Sequence, residues 1–260
     1  MLNKRHAEIL KVLEEQGTVS ISALAERLSV SLETIRRDVK PLTDMGTVMR
    51  VHGAVGLAGQ VGEAPFQRRM RDNAAAKRAI ARAAAALIHD GDSVMLDTGT
   101  TTSFLARELT QRRRLTVVTN SSDIARTLAT VNGNRVYMAG GELRSDSGAA
   151  FGQSALDFIR PFTVTHAVIS AGAIDARGVM DYDLAEAEFA RAVLACGEHR
   201  ITVTDATKFG RRGLITVAGF DAIDTLVTDQ TPNAEIGAAI TQGGASVIVA
   251  DGKAQRQAAE

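Results

Sequence analysis

Seven short apolar runs recur through the second half of the chain: Ser93–Asp97, Leu115–Asn120, Arg135–Ala139, Ala167–Gly172, Arg200–Asp205, Thr225–Asp229 and Ser246–Ala250. Stretches of helical period separate several of them, as at Ser103–Leu109, Ser122–Thr130, Ala185–Cys196 and Ala234–Gln242. Strand and helix alternating in this way predict an α/β domain with a largely parallel sheet covered by helices. Most runs end in small or polar residues, among them Asp97, Asn120, Gly140, Gly172, Asp205 and Asp229. Ligands of open parallel sheets sit beyond the carboxyl ends of the strands, so these endings are the first indication of function.

The first fifty-odd residues follow another pattern. Ile9, Leu10, Val12 and Leu13 recur at helical spacing. Ser20 stands where an N-cap belongs, before Ile21, Leu24, Ala25 and Leu28. Ser31 does the same for a third helix carrying Ile35, Val39, Leu42 and Met45, which Gly46 closes. Thr47–Val51 alternates like a strand, and residues 52–55 read as the return of a hairpin. Three helices and a hairpin make a winged helix-turn-helix. A helix that enters the major groove presents its early polar residues to base edges and phosphates. Ser31, Glu33, Thr34, Arg36 and Arg37 fill that place, and Arg50 and His52 sit on the wing. These are the expected DNA contacts, with double-stranded operator DNA as the partner. A helix-turn-helix that binds another protein is the competing reading.

The chain's 260 residues accommodate two domains. The expected division is a winged helix-turn-helix over 1–57, a glycine-rich linker over 58–75, an α/β domain over 76–252 and a tail over 253–260. Hydrophobic residues at 45% and charged residues at 23% suit packed cores rather than disorder. A formal net charge of zero neither favours nor excludes nucleic acid, because only the contacting face must be cationic. The single cysteine, Cys196, excludes an intramolecular disulfide and reads as a core residue. The five histidines are scattered, so no metal or other cofactor is expected. The sequence shows no signal-peptide core and no membrane-spanning run, so a cytoplasmic location without membrane contact is expected. Arginines and lysines crowd residues 66–82, which read as a solvated helix face.

In the second half, Asp97, Thr98, Gly99, Thr100, Thr101 and Thr102 follow a strand and open a helix. Gly99 is expected to permit a tight turn. Backbone N–H groups and threonine hydroxyls at a helix start make an anion cradle. Neither a Walker loop nor a dinucleotide fingerprint is present. Thr119 and Asn120, then Gly140, Gly141 and Arg144, then Lys208 stand after three further strands. The glycines are expected to allow close backbone approach, and the two cations to pair with a phosphoryl group. A phosphorylated sugar or polyol is the expected effector.

Arg5, Ile9, Leu13, Ser31, Thr34, Ile35, Arg36, Arg37, Asp38 and Val39 resemble the N-terminal signature of the DeoR family of bacterial regulators. Asp97–Thr102, Val118–Asn120, Gly140–Arg144, Asp205–Gly210 and Ile223–Asp229 are similar to the family's C-terminal segments. The resemblance covers nearly the whole chain. It implies a fold like that of ribose-5-phosphate isomerase in the second domain. It also implies a homo-oligomeric repressor that a phosphorylated intermediate releases from DNA. Residues 139–145, Leu156–Ile159 and Asp181–Asp183 resemble the glycerol-3-phosphate regulon repressors most, which makes glycerol 3-phosphate an expected inducer. Two departures stand out: Ala54 replaces the family's second wing glycine, and no lysine lies near Ala190.

The isomerase-like fold raises a rival, a sugar-phosphate isomerase with a DNA-binding appendage. Its base would come from Asp97, Asp175, Asp181, Asp183 or Glu186. The nearest stretch to the isomerase's acidic motif, Ala171–Asp175, is not intact, and a shared fold does not carry chemistry. The expected activity is therefore regulation, not catalysis.

Overall fold

The structure, a computed structural model, describes residues 4–16, 18–51, 54–57 and 63–250. It divides into two compact units that meet between Arg68 and Arg69.

The first unit holds helices α1 (Lys4–Gln16), α2 (Ile21–Arg27) and α3 (Leu32–Asp44), and strands β1 (Val19–Ser20), β2 (Val48–Val51) and β3 (Ala54–Leu57). Ile9 and Leu13 of α1, Leu24 of α2, and Ile35, Val39 and Leu42 of α3 meet Val48 and Val55 in a water-free core. Both expected caps form: Ser20 Oγ accepts from Ala23 N at 3.1 Å and Ser31 Oγ from Thr34 N at 3.2 Å. Gly46 ends α3 at φ +62°, where a side chain is strained. The strands pair antiparallel in the order β1-β3-β2. β1 was not expected; its two residues are too few to show alternation.

Helix α4 (Phe66–Arg69) occupies part of the stretch expected to be an open linker. Pro65 suits the start of a helix, and Phe66 is buried.

In the second unit all seven expected strands form: β4 (Ser93–Leu96), β5 (Thr116–Thr119), β6 (Arg135–Met138), β7 (Val164–Ser170), β10 (Gly197–Val203), β12 (Thr225–Thr228) and β13 (Ser246–Val249). They make one parallel sheet in the order β13-β12-β10-β7-β4-β5-β6. Helices α5 (Ala74–Ala85), α6 (Thr100–Leu109) and α7 (Ser122–Leu128) share a core with Val94, Leu96, Val117, Val168, Ile201 and Val203. Helices α8 (Gln153–Ile159), α9 (Leu184–Ala195) and α10 (Ala234–Gly243) share the other with Met95, Val118, Ala167 and Ile169. Burial on both faces explains why the central strands β4 and β5 read as continuous apolar runs.

A small antiparallel sheet, β8 (Ala173–Asp175), β9 (Gly178–Asp181) and β11 (Ile215–Ala218), was not expected. Its strands have three or four residues, and Gly178, at φ +128°, turns the β8–β9 hairpin without an Asn-Gly signal.

The chain runs from β4 outward to β5 and β6, then returns to place β7 on the other side of β4. Strand order therefore reverses between β4 and β7, and open parallel sheets take ligands beyond the carboxyl ends of the strands at such a point. Asp97 binds the two strands there: its N–H donates to Val168 O at 3.1 Å, and its Oδ2 accepts from Ser170 N at 3.0 Å.

Two expectations need correction. Gly99 makes no left-handed turn; its φ of −172° is extended backbone open to any residue. Its lack of a side chain is required for packing, because a Cβ there would lie 2.0 Å from Ser170 Oγ and 2.7 Å from Ser170 Cβ. Lys77, in the supposedly solvated basic run, is 4% exposed. With Ile80, Ala81 and Ala84 it lines the buried stripe of α5. Its ammonium donates to Asp72 O at 2.9 Å and to Arg69 O, the last carbonyl of α4.

Two outcomes follow. Gly99→Ala is expected to cost about 1–3 kcal/mol by overpacking, and adding Ser170→Gly to recover much of the lost melting temperature; a Gly99→Ala protein as stable as the parent would exclude the contact. Burial lowers the Lys77 pKa from 10.5 to about 8. Between those values the unfolded chain keeps a proton that the folded chain has released, so stability gains as pH rises. Denaturant unfolding should show the parent gaining on Lys77→Met from about pH 8 to about pH 10; a flat difference would mean that the ammonium stays charged.

Candidate functional site

The candidate DNA surface is the outer face of α3. Glu33, Arg36 and Arg37 are exposed, and Lys40 extends the same face. Lys40 was missed because it lies one turn beyond the residues expected to reach bases. Arg36 is 3.6 Å from Glu33 across one helical turn, a solvent-exposed pair that is weakly held and easily exchanged for a phosphate. The Ser31 and Thr34 hydroxyls lie 2.8 Å apart, and the Ser31 oxygen also caps the helix. Arg50 is exposed on β2. His52 lies outside the described residues.

Asp38, on the opposite side of α3, is 6% exposed and anchors the helix to the start of α1. Its Oδ2 accepts from Arg5 Nε, and His6 Nε2 is 3.9 Å from its Oδ1. The Arg5 guanidinium holds the Asp38 carboxyl below its ordinary range. The recognition surface is thus backed by a buried charge pair as well as by Ile35 and Val39.

In the second unit, the switch point brings Asp97–Thr102 together with Thr119 and Asn120, since β4 and β5 are neighbours. Thr100 and Thr101 are each 5% exposed in the first turn of α6. Thr102 is fully buried and turned inward, its hydroxyl placed 3.0 Å from Asp97 O and 3.0 Å from Gly99 O. Thr119 Oγ1 accepts from Ser121 N at 3.1 Å, and Asn120 Nδ2 donates to Ala150 O at 2.8 Å. Asp97 Oδ1, Thr98 Oγ1 and Asn120 Oδ1 are buried without a hydrogen-bond partner.

At the glycine pair after β6, Gly140 has open space where a Cβ would stand. Gly141 is needed for its φ of +143°. The following loop carries Arg144 across to the N-terminus of α9. There Nη2 donates to Asp183 Oδ1 at 2.8 Å and Nη1 to Glu186 Oε1 at 3.0 Å. The guanidinium also lies 4.4 Å from the Phe151 ring centroid. Asp183 Oδ1 caps α9 by accepting from Ala185 N at 2.9 Å and Glu186 N at 3.1 Å. Burial pushes the Asp183 pKa up, but Arg144 and these N–H groups outweigh it and hold the carboxyl low. The expected cation is therefore present but already paired.

Lys208 stands on the 3₁₀ turn Ala206–Lys208 after β10, two strands away from β4. That is roughly 9–10 Å at ordinary strand spacing. Close by, Asp205 Oδ1 accepts from Asn73 Nδ2 at 3.1 Å and from Thr207 N at 3.1 Å. The Lys77 ammonium feels both Asp205 and Lys208. Lys77 and Asn73 were not expected here. The signal for Lys77 was a lysine on the apolar stripe of a helix.

Asp175 is taken by Arg177, whose Nη2 donates to it at 2.6 Å. Among the described residues no group of three or more His, Cys, Asp or Glu is placed to hold a metal, and no helix is long and apolar enough to cross a membrane.

Residues 5–61 match the model of the DeoR-like helix-turn-helix domain, and residues 72–230 that of the DeoR C terminal sensor domain. The chain is 34% identical over 230 residues to the glycerol-3-phosphate regulon repressor of Escherichia coli K12, covering 88% of this chain and 91% of that one. It is 33% identical over 235 residues to the HTH-type transcriptional repressor CsqR of the same organism, covering 90% of each. Ribose 5-phosphate isomerase A from Neisseria gonorrhoeae aligns with 52% of this chain and 53% of its own at a TM-score of 0.39 and 15% identity. The two matched domains and the extent of these alignments show that the chain belongs to the DeoR family of helix-turn-helix transcription regulators.

Proposed function

We propose that the protein is a repressor of a sugar or polyol catabolic operon, which it releases when a phosphorylated intermediate enters the crevice. The similarity to a glycerol-3-phosphate regulon repressor makes glycerol 3-phosphate the first candidate. The observation that carries the effector reading is the start of α6: a ten-residue helix that opens at the switch point, with Thr100 and Thr101 in its first turn. Unsatisfied N–H groups and the helix dipole favour an anion there. Thr119, Asn120, Gly140, Gly141, Arg144 and Lys208 border the same ends of the sheet, with Lys208 the cation on the β10 side.

Regulation is preferred over isomerase chemistry because three of the five candidate acids, Asp175, Asp183 and Glu186, are bound to arginines. A homo-oligomer would present paired α3 helices to repeated half-sites. The ligand switches such an assembly only if it binds the DNA-free arrangement better than the DNA-bound one.

Two measurements check the reading. Against a duplex selected from random sequence, Arg36→Ala or Arg37→Ala is expected to lose on the order of 1–3 kcal/mol if the side chain reads a base. A phosphate contact would instead reduce the salt dependence by about one unit. Full affinity with an unchanged salt slope in both variants would remove α3 as the recognition helix. Thr100→Val combined with Thr101→Val should bind DNA like the parent but resist release by phosphorylated sugars and polyols. Normal release by that variant would take the anion site away from α6.

A further inference from the structure

Polar atoms sealed from water without a partner cost about 1–3 kcal/mol each. Where a protein keeps them they call for an explanation, such as a missing ligand. Asp97 Oδ1 and Asn120 Oδ1 are two such atoms. They stand one residue beyond Leu96 and Thr119, the last paired residues of β4 and β5. Asp97 is 6% exposed and Asn120 fully buried.

The other atoms of both side chains are engaged. Asn120 Nδ2 donates to Ala150 O, which fixes the amide so that its free oxygen can only accept. Asp97 Oδ2 accepts from Ser170 N. A phosphoryl group brings acceptors and negative charge, so it does not complete Asn120. A hydroxyl both donates and accepts. Thr98 Oγ1, also buried and unpartnered, adds a further hydroxyl next to Asp97.

We propose that the β4–β5 end of the crevice takes a hydroxyl group of the ligand, with Asn120 Oδ1 accepting from it and Asp97 Oδ1 as its second partner, while the phosphoryl group lies at the start of α6. The proposal rests on the effector reading above and deepens it, from a phosphorylated sugar or polyol to one bound in a fixed direction through a named hydroxyl contact. The charge state of Asp97 agrees. Burial pushes its pKa well above the ordinary range, and the nearby Asp181 and Glu186 charges push the same way, against the Ser170 backbone and Thr102 side-chain interactions. In its neutral form the carboxyl offers Oδ1–H as a donor to the ligand hydroxyl. Arg144 is held by Asp183 and Glu186.

The test is calorimetric titration of the full chain with polyol and sugar phosphates of three to six carbons, and with alkyl phosphates of the same lengths. At least one hydroxylated phosphate is expected to bind, and its alkyl counterpart to bind at least about tenfold more weakly. Equal binding would overturn the hydroxyl site and leave the phosphate reading standing. Failure of every compound, inorganic phosphate included, would overturn the effector reading and this inference with it. Asp97→Asn keeps an acceptor for Ser170 N and supplies an N–H in place of Oδ1–H, so it should bind within about threefold of the parent, a difference of about 0.6 kcal/mol. Loss of binding by a folded Asp97→Asn protein would show that a charged carboxylate is needed and would also overturn the proposal. The ligand comparison needs no variant, so a misfolded Asn120→Leu protein would not obscure the result.

Discussion

The junction of β4 with β7 is the constraint on which the second unit depends. A parallel sheet needs a crossover between successive strands, and its order reverses only where the chain returns to the other side of its first strand. Asp97 occupies that point. Its N–H and one carboxylate oxygen bind the backbone of β7 on both sides of Ile169, and Gly99 then passes so close to Ser170 that no side chain fits. The start of α6 is thereby aimed from a rigid junction. Asp97 thus holds the junction together and is also the side chain proposed to meet the ligand hydroxyl.

Charge is unevenly distributed around this junction. On one side the charges of Asp181 and Glu186 lie near Asp97, and Glu186 and Asp183 hold the guanidinium of Arg144. On the other, Lys77 and Lys208 lie near Asp205. Carboxylates suit hydroxyl groups and repel phosphate, whereas ammonium groups and helix starts attract it. A molecule with a phosphoryl group at one end and hydroxyls along its length matches that polarity in one direction only.

The seven strands were legible because short runs rich in apolar residues end in residues that favour turns and alternate with helical periods. Ser20 and Ser31 were legible because a cap has a fixed place before a helical period. What escaped has physical reasons. β1, β8, β9 and β11 are too short for alternation to accumulate, and Gly178 turns its hairpin without a familiar dipeptide. Lys77 looked like part of a solvated run because charge was counted along the sequence rather than around the helix. The reason given for Gly99 was the wrong one: its backbone is extended, and the demand for glycine comes from Ser170, more than seventy residues away in the chain. Arg144 was recognisable as a cation, but its pairing with Asp183 and Glu186 depends on packing between segments far apart in sequence.

The two units use buried charge in opposite ways. In the first, Asp38 is paired with Arg5, and its carboxyl is held ionised on the inner side of the recognition helix. Removing Arg5 would leave the buried Asp38 carboxylate uncompensated, which is unfavourable. Such a pair favours one orientation of the helix rather than several. In the second, burial raises the Asp97 pKa, and one of its oxygens is left without a partner. A satisfied network rigidifies, whereas an unsatisfied one gains when a ligand completes it. DNA recognition needs a fixed surface, and a sensor needs an incomplete one. The distribution of hydrogen bonds between the two buried acids follows that difference.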